Sequence, residues 1–368
     1  MSGSVSKETI SARVVSVLVI VTRRNVGWCA CEGESVTPFL QFHLRTTIAV
    51  LLLGPPSISA KQRYTQGKSM PMSPKEQLIR FPDVDLCVFE WGKPGGQQVL
   101  LVHATGFHAR CWDEVVAKLP RDWHIYAVDM RGHGRSSNSE PFTWAQFGDD
   151  LIRVSQALEL KDAIGVGHSM GGHCVTHAAG HHAEFFKHLV LVDPVIFSPD
   201  VYRERGDEGF ASVEEHPVAR RRGHFSSIDE MRQRYVDRMP YKIWQRKVFD
   251  DYCEYGVLPA SSGEGFELAC PGYVEASIYM GNFDANLYQL LPEIKVPVIV
   301  LRADPRDPDS KEMDFSASPT WPALASQFPH GQDVHLPDLT HFIVMQDPDL
   351  VADFIRAGAD SQIVSAVG

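Results

Sequence analysis

A serine in a glycine-rich turn is the residue of this chain best suited to chemistry. Ser169 lies in Gly167-His168-Ser169-Met170-Gly171, which has the pattern G-x-S-x-G. The apolar run Ala163-Ile164-Gly165-Val166 before it predicts a buried strand, and Met170 to about His182 predicts a helix. A strand that turns sharply into a helix strains its corner residue and leaves that side chain exposed beside the positive end of the helix. This context predicts that Ser169 is a nucleophile.

Three histidines on the following helix have the spacing of metal ligands. His173, His177 and His181 recur every four residues and therefore share one helix face. No carboxylate accompanies them in the sequence, and a helix in this position packs against a sheet. We therefore expect structural histidines and no metal.

A concentrated positive charge occurs later in the chain, at Ala219-Arg220-Arg221-Arg222. By default such a run is a solvated helix face; the sharper hypothesis is that Arg220 and Arg221 contact an anionic substrate, such as a carboxylate or the phosphates of coenzyme A. Trp244 is predicted to line an apolar acyl pocket, and its alternative role is to pack in a local core.

Composition and charge narrow the class of protein. The 368 residues are 44% hydrophobic and 22% charged, which is ordinary for a globular protein. A net charge of -11 argues against nucleic acid as a partner. Seven irregularly spaced cysteines favour a reducing, intracellular and most simply cytoplasmic location. No apolar run reaches the roughly 18 residues that cross a bilayer, so no transmembrane span is expected; the oligomeric state leaves no signal.

The first fifth of the chain differs in composition from the rest. Residues 1–71 hold eight Lys or Arg against three Glu, a balance of +5, which leaves -16 for the remainder. This segment is predicted to be an N-terminal extension that is disordered or serves in targeting. An organelle address and a true start at Met70 or Met72 stay open as interpretations.

From about residue 76 the pattern alternates between strand and helix, which predicts a mostly parallel sheet covered on both faces. About 100 residues with helical patterns, including Ile228–Arg238 and Tyr241–Tyr252, separate the last two groups of strands and predict an inserted cap. We expect an α/β core from residues 72–195 and 291–368, and a helical cap at 196–290. The clearest apolar strands are Val99–Val102, His124–Val128, Leu189–Asp193 and Val296–Leu301.

The order of four motifs resembles the α/β-hydrolase family from about residue 76 to 360. The resemblance implies an α/β-hydrolase fold with a mostly parallel eight-stranded sheet, a nucleophile after the fifth strand, an acid after the sixth or seventh, and a histidine after the last. It implies no cofactor. The motifs are His103-Ala104-Thr105-Gly106-Phe107, Asp129–Ser136, Gly167–Gly171 and Leu339-Thr340-His341-Phe342.

The same resemblance assigns roles to residues far apart in sequence. His341 is the general base that takes the Ser169 proton. Asp193, at the tip of the sixth strand, is the expected acid; this minority arrangement resembles fungal hydrolases of polyketide and toxin pathways that act on acyl-CoA thioesters. Asp307, after the seventh strand, is the fallback.

The resemblance also implies an oxyanion hole formed by the backbone N–H groups of Thr105 and Met170. Ala104 stands where glycine is more usual in the family, and its methyl group crowds this position.

We therefore expect a serine hydrolase that cleaves a carboxylic ester, lactone or thioester of a small acyl substrate through an acyl-Ser169 intermediate. One alternative is a carbon-carbon bond hydrolase with the same triad. The other is a non-catalytic ligand receptor on this fold, for which Ser169, His341 and a carboxylate would be unnecessary.

Overall fold

The structure is a computed structural model that describes residues 73–204, 210–281, 286–305 and 316–359. Strands and helices are numbered in chain order within these ranges. The strands are β1 Lys75–Arg80, β2 Asp85–Gly92, β3 Gln98–Val102, β4 His124–Val128, β5 Ala163–His168, β6 Phe186–Val192, β7 His224–Phe225, β8 Val257–Pro259, β9 Phe266–Leu268, β10 Val298–Arg302 and β11 Gly331–His335. The helices are α1 Asp113–Val116, α2 Trp144–Ala157, α3 Met170–His181, α4 Pro199–Glu204, α5 Ile228–Tyr235, α6 Arg246–Tyr255, α7 Gly272–Met280, α8 Ile343–Gln346 and α9 Pro348–Ala359.

One sheet of eight strands organises the described part of the chain, in the order β1-β2-β4-β3-β5-β6-β10-β11. β2 runs antiparallel to both β1 and β4. Every other neighbouring pair in this sheet is parallel. The predicted mostly parallel eight-stranded sheet is confirmed.

Apolar side chains cover both faces of this sheet. Along β3, Leu100 packs into the cluster that contains residues of α2 and α3, while Val99 and Leu101 pack into the cluster that contains residues of α1 and α9. Neighbouring side chains of a strand point to opposite faces, so a strand buried on both sides reads as a continuous apolar run. This continuous apolar pattern is why β3 and β4 could be predicted from the sequence.

One helix of the sheet region is shorter than its pattern predicts. The apolar spacing of Cys111–Leu119 predicts a helix there, but the structure has a 3-10 turn at Ala109–Trp112 followed by the single turn of α1. The Asp129 side chain accepts a hydrogen bond from the Ala109 amide at 2.7 Å, so a tertiary contact fixes where the turn begins.

The described residues between β6 and β10 form a separate group of short elements, which we call the insert. It contains α4 to α7 and an antiparallel sheet in the order β7-β9-β8. The helical pattern predicted at Tyr241–Tyr252 is found in the structure with a break near Trp244. A 3-10 turn ends at Ile243, Trp244 is extended, and α6 begins only at Arg246. The Gln245 amide donates to the Met345 carbonyl at 2.8 Å, which holds the break against the sheet region.

Residues 1–71 and Asp307 lie outside the described residues, so their predicted roles stay predictions. In the described ranges, no helix has the length and apolar character needed to cross a membrane. The described cysteines are free and buried: Cys87, Cys111, Cys174, Cys253 and Cys270.

Candidate active site

Ser169 occupies a strained corner between β5 and α3. Its backbone has φ 57° and ψ -118°, a conformation that side-chain-bearing residues rarely adopt. The neighbouring chain can pass only because glycines flank the corner. A methyl group added at Gly171 would come within 2.2 Å of the Val102 carbonyl oxygen, and one added at Gly167 would come within 2.2 Å of the Gly171 carbonyl oxygen. The predicted strand-turn-helix setting is confirmed.

The structure brings His341 to Ser169 from the turn after β11. Its Nε2 lies 3.0 Å from the Ser169 hydroxyl. Its own amide donates to the Ser316 carbonyl at 2.7 Å. His168 Nε2 lies 2.8 Å from the His341 carbonyl oxygen. Burial lowers the pKa of His168 to about 3, so its ring is neutral and the nitrogen facing this oxygen carries the proton.

Asp193 completes a line of three polar side chains. Its Oδ2 lies 2.6 Å from His341 Nδ1. Its Oδ1 accepts hydrogen bonds from the Ala303 amide at 3.0 Å and the Ser318 hydroxyl at 2.6 Å. Burial alone would raise the pKa of Asp193, but the hydrogen bond from His341 and its charge outweigh burial and lower that pKa. An ionised Asp193 holds the proton on His341 Nδ1 and leaves the Nε2 lone pair facing Ser169.

Two candidate donors for a developing oxyanion lie beside Ser169. Met170 is the first residue of α3, where an amide has no acceptor within the helix. Thr105 lies in the turn after β3, where the Phe107 amide donates to the Ala104 carbonyl at 3.1 Å and Gly106 has φ +79°. Ala104 is accommodated there with its side chain buried.

The Asp129–Ser136 run holds this turn in place. The Gly106 amide donates to His133 Nε2 at 2.9 Å. Burial lowers the pKa of His133 to about 4, so its ring stays neutral and able to accept. The sequence identified this run only as one of four family motifs, and its contact with the Thr105 segment was not predicted.

Ser169 and His341 border a cavity of about 470 Å³ between the sheet edge and the insert. Nine of its 22 lining residues are aromatic, as expected for a site that binds apolar groups. The aromatic lining residues are Phe107, Trp144, Phe197, Tyr235, Tyr241, Trp244, Tyr252, Tyr279 and Phe342.

The predicted substrate-contact residues fall into two groups. Arg221 and Trp244 line the cavity. Arg220 does not belong to its lining; it is exposed and its Nε donates to the Glu214 carbonyl at 3.2 Å. Arg221 forms a short ion pair with Glu275, a cavity residue that sequence reasoning missed. No signal in the sequence connects these two residues.

The regularly spaced histidines of α3 have structural neighbours. His173 packs its ring edge-on against Trp144, and His177 Nε2 lies 3.1 Å from Asp149 Oδ1. Among the described residues, no three or more His, Cys, Asp or Glu side chains gather closely enough to hold a metal ion.

Two known proteins are similar to part of this chain. The chain is 32% identical over 112 residues to a serine hydrolase-like protein of Danio rerio, covering 30% of this chain and 34% of that protein. It is 32% identical over 103 residues to a pimeloyl-[acyl-carrier protein] methyl ester esterase of Vibrio vulnificus strain YJ016, covering 28% and 39%. The chain thus spans little more than a third of the length of these relatives.

Solved structures match over most of the described chain. E-2-(acetamidomethylene)succinate hydrolase superposes with a TM-score of 0.61 at 20% identity, covering 78% of this chain and 99% of that one. The thioesterase domain from the curacin biosynthetic pathway gives 0.59 at 20% identity, covering 77% and 100%. These likenesses show the α/β-hydrolase fold. The model of the Alpha/beta hydrolase family matches residues 99–354, and the chain therefore belongs to that family.

Proposed function

We propose that this protein is a serine hydrolase that cleaves a carboxylic ester, lactone or thioester through an acyl-Ser169 intermediate. The observation that carries the proposal is the line of contacts from Ser169 Oγ to His341 Nε2 at 3.0 Å and from His341 Nδ1 to Asp193 at 2.6 Å, at the border of an aromatic cavity. An imidazole that is oriented by a buried carboxylate is the arrangement that activates a serine hydroxyl.

Each residue has a defined step in this proposal. His341 removes the Ser169 proton as the hydroxyl attacks the acyl carbon, and it returns that proton to the leaving alcohol or thiol. The amides of Thr105 and Met170 stabilise the oxyanion. Water then attacks the acyl carbon as it loses a proton to His341, the bond to Ser169 Oγ breaks, and His341 returns the proton to Oγ as the acid leaves. The insert acts as a cap whose side chains bind the acyl group.

The names of two similar proteins support ester and thioester chemistry but do not select between the two. The relative from Vibrio vulnificus is named as a methyl ester esterase, and one structural neighbour as a thioesterase domain. A carbon-carbon bond hydrolase would use the same residues, but its products would be an acid and a ketone. A receptor would bind ligand without turnover.

A panel of p-nitrophenyl esters, lactones and acyl-CoA thioesters tests the proposal with the full chain. Ser169→Ala is expected to lower kcat on the best substrate by at least about 10⁴-fold, because the nucleophile is gone. Ser326→Ala is the matched control, since Ser326 is an exposed serine away from the cavity. Equal rates for Ser169→Ala and wild type would contradict the assignment.

A further inference from the structure

Two charged side chains of the cavity wall form an ion pair with each other. Among the described residues that line the cavity, Arg221 and Glu275 carry the formal charges, besides the His341 imidazole. Arg221 Nη1 makes a short contact with Glu275 Oε2, and Nη2 donates to the Tyr252 hydroxyl at 3.2 Å. The Glu275 side chain is 7% exposed and that of Arg221 is 19% exposed. The wall therefore presents polar atoms with no net charge.

This pair lies next to the turn that carries Thr105. A methyl group added at Gly106 would come within 2.4 Å of Glu275 Oε1, so the carboxylate packs directly against that turn. Tyr252, which accepts from Arg221, also packs its ring 5.5 Å from the ring of Phe107 in the same turn. A substituent on the acyl group thus meets the pair a short distance from the reacting carbonyl.

Neutrality of the pair decides which substituent is favoured. A carboxylate entering the cavity loses its hydration and meets a guanidinium whose charge Glu275 already balances, so its desolvation is not compensated. An uncharged oxygen costs much less to desolvate. The guanidinium has five N–H donors, and its contacts with Glu275 and Tyr252 leave others for such an oxygen.

Two further donors border the same space. The Thr105 hydroxyl and the Trp244 indole N–H are buried and have no hydrogen-bond partner among the described residues. Both residues line the cavity. A buried donor without a partner destabilises the empty cavity, and an oxygen-bearing ligand would satisfy it.

We propose that the Arg221–Glu275 pair determines specificity by admitting acyl groups that carry an uncharged oxygen, such as a ketone or hydroxyl, and by disfavouring acyl groups that end in a carboxylate. This inference rests on the proposed hydrolase function. It replaces the prediction from sequence that Arg220 and Arg221 recruit an anion.

Three p-nitrophenyl esters of matched length test the selection: the 6-oxoheptanoate with a ketone, the heptanoate with no oxygen, and the hemi-adipate with a carboxylate. After subtraction of spontaneous hydrolysis, wild type is expected to prefer the ketone ester over the hemi-adipate by at least about tenfold in kcat/KM. Equal or greater kcat/KM for the hemi-adipate would overturn the proposal.

Glu275→Gln leaves Arg221 with an unbalanced charge. The ratio of hemi-adipate to ketone kcat/KM is then expected to rise by at least about tenfold. Glu230→Gln is the matched control, because it breaks the exposed Arg222–Glu230 pair of the insert, away from the cavity. No change in the ratio for Glu275→Gln, or an equal change for Glu230→Gln, would contradict the proposal.

A second variant and a binding measurement keep the test decisive. Should Glu275→Gln fail to fold, the double variant Arg221→Met with Glu275→Leu is expected to hydrolyse the heptanoate ester and to lose the preference for the ketone ester. A retained preference would refute the proposal.

Calorimetry of Ser169→Ala with the N-methylamides of the same three acids measures the selection without turnover. Ketone-selective binding by a protein that hydrolyses nothing would refute the hydrolase function alone, whereas hydrolysis without such selectivity would refute the role of the pair alone.

Discussion

The sheet edge and the insert contribute to the same cavity in different ways. At the sheet edge, the positions of Ser169 and Asp193 follow from the backbone, because each residue directly succeeds a parallel strand and has a positive φ. In the insert, Arg221 and Glu275 come from a loop and a helix 54 positions apart, and only packing brings them together. The backbone of the fold thus fixes the positions of the reacting groups, whereas the packing of particular side chains forms the acyl-binding wall.

Acid should destabilise the sheet edge through its buried histidines. Burial lowers the pKa of His133 to about 4 and that of His168 to about 3, so the folded state keeps both rings neutral where the unfolded chain binds protons. The contribution of each neutral ring to the free energy of unfolding is complete above about pH 6.5. It falls by about 2 kcal/mol for each ring between pH 6.5 and 5. Asp129 acts in the opposite sense, because burial raises its pKa to about 6, and it offsets part of this loss.

Urea unfolding at pH 7, 6 and 5 measures this effect. We expect the free energy of unfolding to fall with pH, and to fall less steeply in His133→Gln, whose amide oxygen can still accept from Gly106. A free energy that stays level or rises over this range would contradict the account of the sheet edge.

The strain at Ser169 gives a smaller and more local prediction. Because φ is 57° there, Ser169→Gly is expected to be more stable than Ser169→Ala by about 1 kcal/mol, although both variants lack the nucleophile. Ser155, within α2, is the matched control, and there the order should reverse, with glycine less stable than alanine by about 1 kcal/mol. Thermal unfolding of the four variants checks both orders; the same order at both sites would show that the corner is not strained.

The sequence predicted the sheet region well because its signals are local. β4 was predicted with its observed bounds, His124–Val128, and α3 with nearly its observed end. The signals are continuous apolar runs bounded by turns and the glycines around Ser169, and each lies within a few consecutive residues. The contact between His341 and Ser169 was inferred from the order of motifs, not from any local pattern.

The insert was predicted poorly for an equally physical reason. β7, β8 and β9 have two or three residues each, too few to show alternation. The break at Trp244 depends on a hydrogen bond from Gln245 to Met345, about 100 positions away. Such contacts override local helix propensity, and they leave no trace in composition or spacing.

The sequence also did not predict the hydroxyl groups that lie beside the Asp193 carboxylate. Ser318 donates to its Oδ1 at 2.6 Å, and the Thr320 hydroxyl, which donates to the Pro194 carbonyl at 2.8 Å, lies 3.3 Å from the same oxygen; both residues are more than 120 positions away. Neither residue belongs to a motif. Burial raises the pKa of Asp193, but the hydrogen bond from His341 and its charge lower it most, and the hydrogen bond from Ser318 adds to them, so this fully buried carboxylate stays ionised.

The most direct test of the central claim compares two aspartates in the same assay. In Asp193→Asn the amide N–H₂ no longer fixes the proton on His341 Nδ1, so the Nε2 lone pair is lost to Ser169 and kcat should fall by about 10⁴-fold with KM little changed. Asp307→Asn should stay within about twofold of wild type, since Asp193 already occupies the position beside His341 Nδ1. A larger loss in Asp307→Asn than in Asp193→Asn would contradict the triad of Ser169, His341 and Asp193.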